Sequence, residues 1–177
     1  MKTKTYFILL SSLIVLGCAS TSDVLTDYDP AVNFDNYSTF VICIDDLFVE
    51  NTNYPNYDNN KVRQLIGDAV ESEMLNKGHK TNVFNPELQA GFQLILEQKE
   101  VTLTNCEIHD EYSYWKECTI DTEIYTEETL VLYVSDLKMN QIIWQASMTC
   151  DMNRSNAKLE GYVKELVQTM YADYPRN

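Results

Sequence analysis

Apolar residues recur along the chain with two periods, and these mark out the elements. Val62, Leu65, Ile66, Ala69, Val70 and Met74 fall on one face at helical spacing and predict a helix over Lys61–Lys77. Asn59 or Asn60 is placed to cap its start, and Gly78 to stop it. Tyr162, Val163, Leu166, Val167 and Met170 predict a second helix over Ala157–Tyr171, ended by Tyr174-Pro175. A period of two, or a short β-branched run, marks the strands. Thr39–Ile44 is the first, closed by Asp45-Asp46 and followed by a loop of turn formers over residues 50–60. In Gly91–Leu103, Phe92, Leu94 and Leu96 alternate with Gln93, Ile95 and Glu97, which gives a strand with one wetter face. Thr129–Ser135 and Ile142–Cys150 are two more, joined by a turn at Asp136–Asn140. Residues 105–128 keep neither period and read as an irregular insertion.

The order is therefore β-α-β-β-β-α. Two amphipathic helices and a sheet with one apolar face predict an α+β fold, a two-layer sandwich. Its four-stranded mixed sheet has both helices packed on one face. The connection from the first strand through the helix to the second suits a right-handed crossover and a parallel pair. The remaining strands suit an antiparallel meander.

The N-terminus carries a different signal. Lys2 and Lys4 precede an apolar run from Tyr6 to Leu16, then Val15-Leu16-Gly17-Cys18. A positive start, a short apolar core and a small residue before the cut describe a secretory signal. The run falls short of the about 20 apolar residues that span a bilayer. Ending in Cys, the segment resembles the bacterial lipobox, which directs acylation of the Cys thiol. That resemblance implies removal of residues 1–17, a lipid on Cys18 and a tether over residues 18–25. A single domain over residues 26–177 then follows. Ala19, where Asp would retain an inner-membrane protein, implies the outer membrane, with the domain in the periplasm.

Charge narrows the partners. The chain has 13 Lys and Arg against 27 Asp and Glu, a formal net charge of −14. No basic footprint for phosphate exists, which argues against nucleic acid and against electrostatic docking on anionic lipid. The membrane is then reached through covalent lipid, and an envelope protein is the expected partner. Besides Cys18, the cysteines are Cys43, Cys106, Cys118 and Cys150. An even set in an exported chain predicts disulfides, Cys106–Cys118 across the insertion and Cys43–Cys150 between strand ends.

Thr26-Asp27-Tyr28-Asp29-Pro30 and Asn33-Phe34-Asp35-Asn36-Tyr37-Ser38-Thr39-Phe40 form a recognisable opening. Lys77-Gly78-His79, Asn85-Pro86-Glu87-Leu88, Thr129-Leu130-Val131, Asp136, Ile143-Trp144 and Tyr174-Pro175 follow in order. With these the chain resembles a bacterial lipoprotein family defined by the domain of unknown function numbered 4136. It departs from that family at Glu128, where Gly is usual, and at Gln145-Ala146, where Arg or Gly is frequent. The resemblance implies fold and location and supplies no catalytic residue.

Candidate chemistry is sparse. Cys106, His109 and Cys118 with Asp110 have zinc-like spacing, but in an oxidising compartment the disulfide is the better reading, so no metal or other cofactor is expected. Acids gather at Glu107, Asp110, Glu111, Glu117, Asp121, Glu123, Glu127 and Glu128 without a calcium-loop pattern. Paired carboxylates of this kind would be needed for the alternative function, an envelope hydrolase acting on glycan or peptide. No Gly-x-Ser-x-Gly and no phosphate loop is present. Asp27, Tyr28 and Asp29, and the aromatic set Tyr112, Tyr114 and Trp115, are the candidate binding residues. The expectation is a lipid-anchored, non-catalytic binding or structural module.

Overall fold

The computed structural model describes residues 24–48, 53–107 and 117–176. Its regular elements are β1 (Leu25–Tyr28), β2 (Thr39–Ile42), α1 (Asn60–Asn76), β3 (Lys80–Thr81), β4 (Leu88–Glu107), β5 (Glu117–Asp136), β6 (Gln141–Cys150) and α2 (Asn156–Met170). The strands form one six-stranded sheet in the order β1-β6-β5-β4-β2-β3. The α+β class, the mixed sheet and the two helices are as expected, but four strands are too few. The extra two are the edges, Leu-Thr-Asp-Tyr in β1 and Lys-Thr in β3. Neither has hydrophobic alternation, because each is a strand only through the edge its neighbour offers. β1 adds antiparallel to β6, and β3 parallel to β2.

The inner pairings follow the expected topology. β2 lies parallel to β4 across the α1 connection, with Phe40 opposite Leu88 and Ile42 opposite Ala90. β4, β5 and β6 form the antiparallel meander. Leu88, Ala90 and Phe92, Leu130, Leu132 and Val134, and Trp144 and Ala146 turn to one face. There they join Val62, Ile66, Val70 and Met74 of α1 and Leu159, Val163, Leu166 and Val167 of α2 in a single core. Each such large side chain stabilises the fold by roughly 1.5–3 kcal/mol through burial.

Local chemistry sets the ends of α1. The Asn59 carboxamide oxygen accepts from the N–H groups of Lys61 and Val62, both at 3.1 Å. At the other end Gly78 takes φ 84°, a left-handed conformation that costs a residue with Cβ. It lets Gly78 N–H donate to Leu75 and His79 N–H donate to Met74, closing the helix with a Schellman motif.

Residues 105–128 are not an irregular insertion where they are described. β4 and β5 stay paired over 20 residues each, from Leu88 opposite Asp136 to Glu107 opposite Glu117. β6 ends at Cys150, opposite Glu128, and β2 reaches only Ala90. Beyond Leu96 and Glu128 the two strands therefore project as an arm, roughly 35 Å long at the usual rise per residue. Among the described residues no layer covers either face of the arm, so neither face had to be apolar there, and the periodicity that reveals a half-buried strand is absent.

The expected Cys43–Cys150 bridge is also corrected. Both cysteines are free thiols. Cys43 follows β2, while Cys150 ends β6 with β5 and β4 between them. Three strand spacings are roughly 14 Å, twice the reach of a disulfide. They also lie at different heights along the sheet, since Cys43 N–H donates to Ala90 while Cys150 stands opposite Glu128. Cys150 is instead a small buried core residue, and burial pushes its thiol up to about 12.

Candidate functional site

The end of the sheet away from the arm collects most of the residues that carry the family resemblance. Glu87, entering β4, accepts from Ser38 N–H at 2.7 Å and from Thr39 N–H at 2.9 Å. These bonds hold its carboxyl below the usual range. Tyr37 OH donates to Asp136 Oδ2 at 2.7 Å, and Met139 N–H donates to Asp136 Oδ1 at 2.8 Å. Burial opposes ionisation of Asp136, but those donors outweigh it and keep its carboxyl low. Burial, together with the Asp136 carboxylate, pushes the Tyr37 phenol up to about 12.

His79 sits at the centre of this end, 2% exposed. Its Nδ1 lies 2.9 Å from Arg176 Nη1, and its Nε2 lies 3.1 Å from Tyr174 OH. A guanidinium only donates, so Nδ1 is the acceptor and Nε2 carries the proton that Tyr174 accepts. The ring is thereby neutral. Burial, and then the Arg176 charge, lowers its pKa to about 4. Arg176 also donates to the carbonyl of Tyr37, which ties the C-terminal segment to the start of β2. Above it Trp144 meets Tyr171 at 4.8 Å and Tyr174 at 5.2 Å between ring centroids, and Phe34 meets Tyr174 at 5.4 Å. The arrangement is a closed latch: both ring nitrogens of His79 are occupied, and the aromatic rings close over it.

An open groove of about 290 Å³ lies where β1 meets β6, with Asp27 to Pro30 as one wall and Gln141 to Gln145 as the other. The structure thus brings Asp27, Tyr28 and Asp29 to one surface. Their roles differ. Asp29 is structural, since its Oδ1 accepts from Ala31 N–H at 2.9 Å and its own N–H donates to Ile143 at 3.0 Å. Asp27 is in the strand, not in a turn, opposite Gln145. Tyr28 leans edge-on against Phe34 at 6.4 Å and stays 49% exposed, near Ile142 at 51%. The second wall was not legible in the sequence, because it depends on β1 being a strand.

A second pocket, of about 390 Å³, lies under the segment after β2, between Asp45, Asp46, Tyr54, Asp58, Arg63 and the inner face of β4. Its charged groups hold structure. Arg63 grips Asp58 with two bonds of 2.6 and 2.7 Å and donates to the Asp46 carbonyl at 2.8 Å. Asp46 Oδ2 accepts from Phe92 N–H at 2.9 Å and from Tyr133 OH at 2.7 Å. Burial, then the Cys43 thiol and the Asp46 carboxylate, raise the Tyr133 phenol well above its ordinary value. Gly91 permits this contact, since a Cβ there would fall 2.3 Å from Asp46 Oδ2 and 2.4 Å from the Tyr133 ring.

Among the described residues, the acids that the alternative hydrolase would need do not converge on one site. Asp121, Glu123 and Glu127 share one face of the arm, and Glu128 takes the other. Glu127 pairs with Lys99. Glu128 is buried and accepts from Met152 N–H at 2.7 Å, so burial raises its pKa against that bond. Cys18, His109, Asp110, Glu111, Tyr112, Tyr114 and Trp115 lie outside the described residues. The backbones of Cys106 and Cys118 are direct register partners. Among the described residues no helix is long and apolar enough to cross a membrane.

Comparison with known proteins agrees with this architecture. The family model described as "Domain of unknown function (DUF4136)" matches residues 24–176, and the chain belongs to that family. Among solved structures it is similar to a PDZ domain protein from Parabacteroides distasonis ATCC 8503, with TM-score 0.55 and 15% identity. That match covers 87% of this chain and 35% of the other. The chain thus spans about a third of that protein's length. A DUF4136 family protein from Bacteroides thetaiotaomicron VPI-5482 gives TM-score 0.49 and 16% identity, over 86% of this chain and 95% of that one. No curated protein matches.

Proposed function

We propose that this is a lipid-anchored cell-envelope protein, held by Cys18 at the outer membrane, whose domain binds an envelope protein and performs no catalysis. One observation carries the binding reading. Buried His79, Asp136, Glu128 and Asp58 are committed to the fold, whereas the β1–β6 groove presents Asp27, Tyr28, Ile142 and Gln145 exposed. His79, Asp136, Glu128 and Asp58 each serve the latch, a turn, the exit from β6 or the start of α1. The groove offers an aromatic, an aliphatic and polar ends in Tyr28, Ile142, Asp27 and Gln145, the mixture typical of a protein interface.

Topology supports the anchor's place. β1 enters the sheet at Leu25, opposite Ser147, and runs away from the arm. The segment between Cys18 and Leu25 spans at most roughly 20–25 Å when extended. A bilayer held through Cys18 then lies within that distance of the start of β1.

Two experiments test the proposal. Cys18→Ala abolishes incorporation of labelled palmitate and releases the protein from the membrane fraction; labelling that persists refutes the anchor. A photocrosslinking amino acid at Tyr28 or Ile142 in intact cells gives an adduct of defined mass, lost when Asp27→Arg and Gln145→Arg are added. No adduct, or one indifferent to those changes, removes the groove from the reading. Turnover of envelope glycan or peptide by the purified chain would return the hydrolase.

A further inference from the structure

The arm poses a problem that the proposal above leaves open. From Glu128 outward, β5 has lost β6, because the chain leaves the sheet at Cys150 and turns through Met152, pinned by its N–H on Glu128. Among the described residues, no strand continues that lane along the outer part of β5. An open strand edge is a template for another chain, and proteins ordinarily keep such edges short, covered or twisted away. This edge is long, and it carries large apolar side chains in the open, with Ile120 70% exposed and Ile124 63%. Val101 and Leu103 of β4 are exposed as well, on the other face, opposite Glu123 and Asp121.

The residues along the edge alternate in kind. Ile120, Thr122 and Ile124 take one face; Asp121, Glu123, Tyr125 and Glu127 take the other. Glu97 joins the acids from β4, where Lys99 is the cation that meets Glu127. A second copy of the chain suits this edge poorly. Two-fold antiparallel addition would bring Asp121, Glu123 and Glu127 of both chains to the same face, and like charges across a ladder repel.

We propose that the outer edge of β5, from Ile120 to Glu127, docks an extended segment of a partner protein by strand addition. That segment alternates lysine or arginine with β-branched residues. Backbone bonds supply the addition, the acid face selects the basic side chains, and Ile120 and Ile124 receive the apolar ones. The inference stands apart from both the anchor and the β1–β6 groove.

The test uses the purified full chain and a labelled peptide of alternating Lys and Val. Binding slows amide hydrogen exchange over residues 120–127 and weakens with added salt. Asp121→Lys combined with Glu123→Lys reduces the affinity at least about tenfold, as charge reversal beside a docked cation should. The same peptide N-methylated at every residue cannot pair its backbone and fails to bind. Equal binding by the N-methylated peptide, or by one of alternating Glu and Val, overturns the proposal. So does protection confined to another part of the sheet, or self-association of the chain through this edge.

Discussion

The two ends of the sheet solve opposite problems with the same strands. At the latch end, β2, β4, β5 and β6 are covered by helices, aromatic rings and the C-terminal segment, and His79, Glu87, Asp136 and Tyr37 are all hydrogen-bonded. The Trp144 indole N–H and the Tyr171 hydroxyl are buried there without a hydrogen-bond partner among the described residues. On the arm, β4 and β5 continue with no described residue packed above or below them, and ladder bonds with the Lys99–Glu127 pair set their course. Stability at the first end comes from burial. At the second it comes from cross-strand pairing, which alone is marginal in water. The two ends should therefore respond to change independently, with large effects at the latch and almost none transmitted from the arm.

The largest effect is expected at Trp144, fully buried against Tyr171 and Tyr174. Trp144→Ala removes that contact area and leaves a cavity, which costs about 3–5 kcal/mol. Denaturant unfolding of the variant measures it. A loss below about 1 kcal/mol would mean that the latch is not the stabilising end.

His79 comes next and acts through pH. Its folded pKa, about 4, lies below the ordinary histidine value of 6.5, so the unfolded chain binds more protons between these two values. Its contribution is complete above pH 6.5, falls as pH drops toward 4, and stops changing below that. The loss amounts to roughly 3–4 kcal/mol at one pKa unit per 1.4 kcal/mol. His79→Gln removes this titration, so the difference between the two chains should shrink steadily from pH 7 to pH 4. A difference independent of pH would show that the fold leaves the ring's titration unshifted, and one that grows toward low pH would show that the ring is charged in the fold.

Gly91 tests the middle of the sheet, where the covered and uncovered parts meet. Gly91→Ala forces Tyr133 and Asp46 to move apart, and overpacking of this kind costs about 1–3 kcal/mol. A chain as stable as the original would show that Tyr133 is free to swing away.

What could be read from the sequence follows the same division. Helices and strands that bury a face announce themselves by period, so α1, α2 and the covered parts of β2, β4, β5 and β6 were legible. Even the caps at Asn59 and Gly78 were visible, because they are local chemistry. β1, β3 and the arm were not, since their strand character comes from a neighbour's edge. The family resemblance identified the right chain segments, but it could not tell that His79, Glu87, Asp136 and Tyr174 would meet at one end. Of the candidate site, Asp27 to Asp29 were legible and their partners Gln141 to Gln145 were not.

The smallest effect on the core is expected from the arm's cysteines. Cys106 and Cys118 stand directly opposite each other in the register. Directly opposed residues of an antiparallel pair have Cα atoms roughly 4.5 or 5.5 Å apart, and both spacings suit a disulfide. Closing a loop of this size stabilises whatever unit contains it by about 3 kcal/mol in the chain-entropy model. That unit is the arm. If the arm opens without the core, Cys106→Ser with Cys118→Ser speeds amide exchange from residues 97–107 and 117–127. The unfolding midpoint of residues packed on Trp144 then stays where it was. Non-reducing peptide mapping establishes the bond, and exchange measured residue by residue locates its effect. A free thiol at either position would remove the bridge. A core midpoint that falls by the full amount would show instead that arm and core unfold as one unit, and the contrast between the two ends would be structural only.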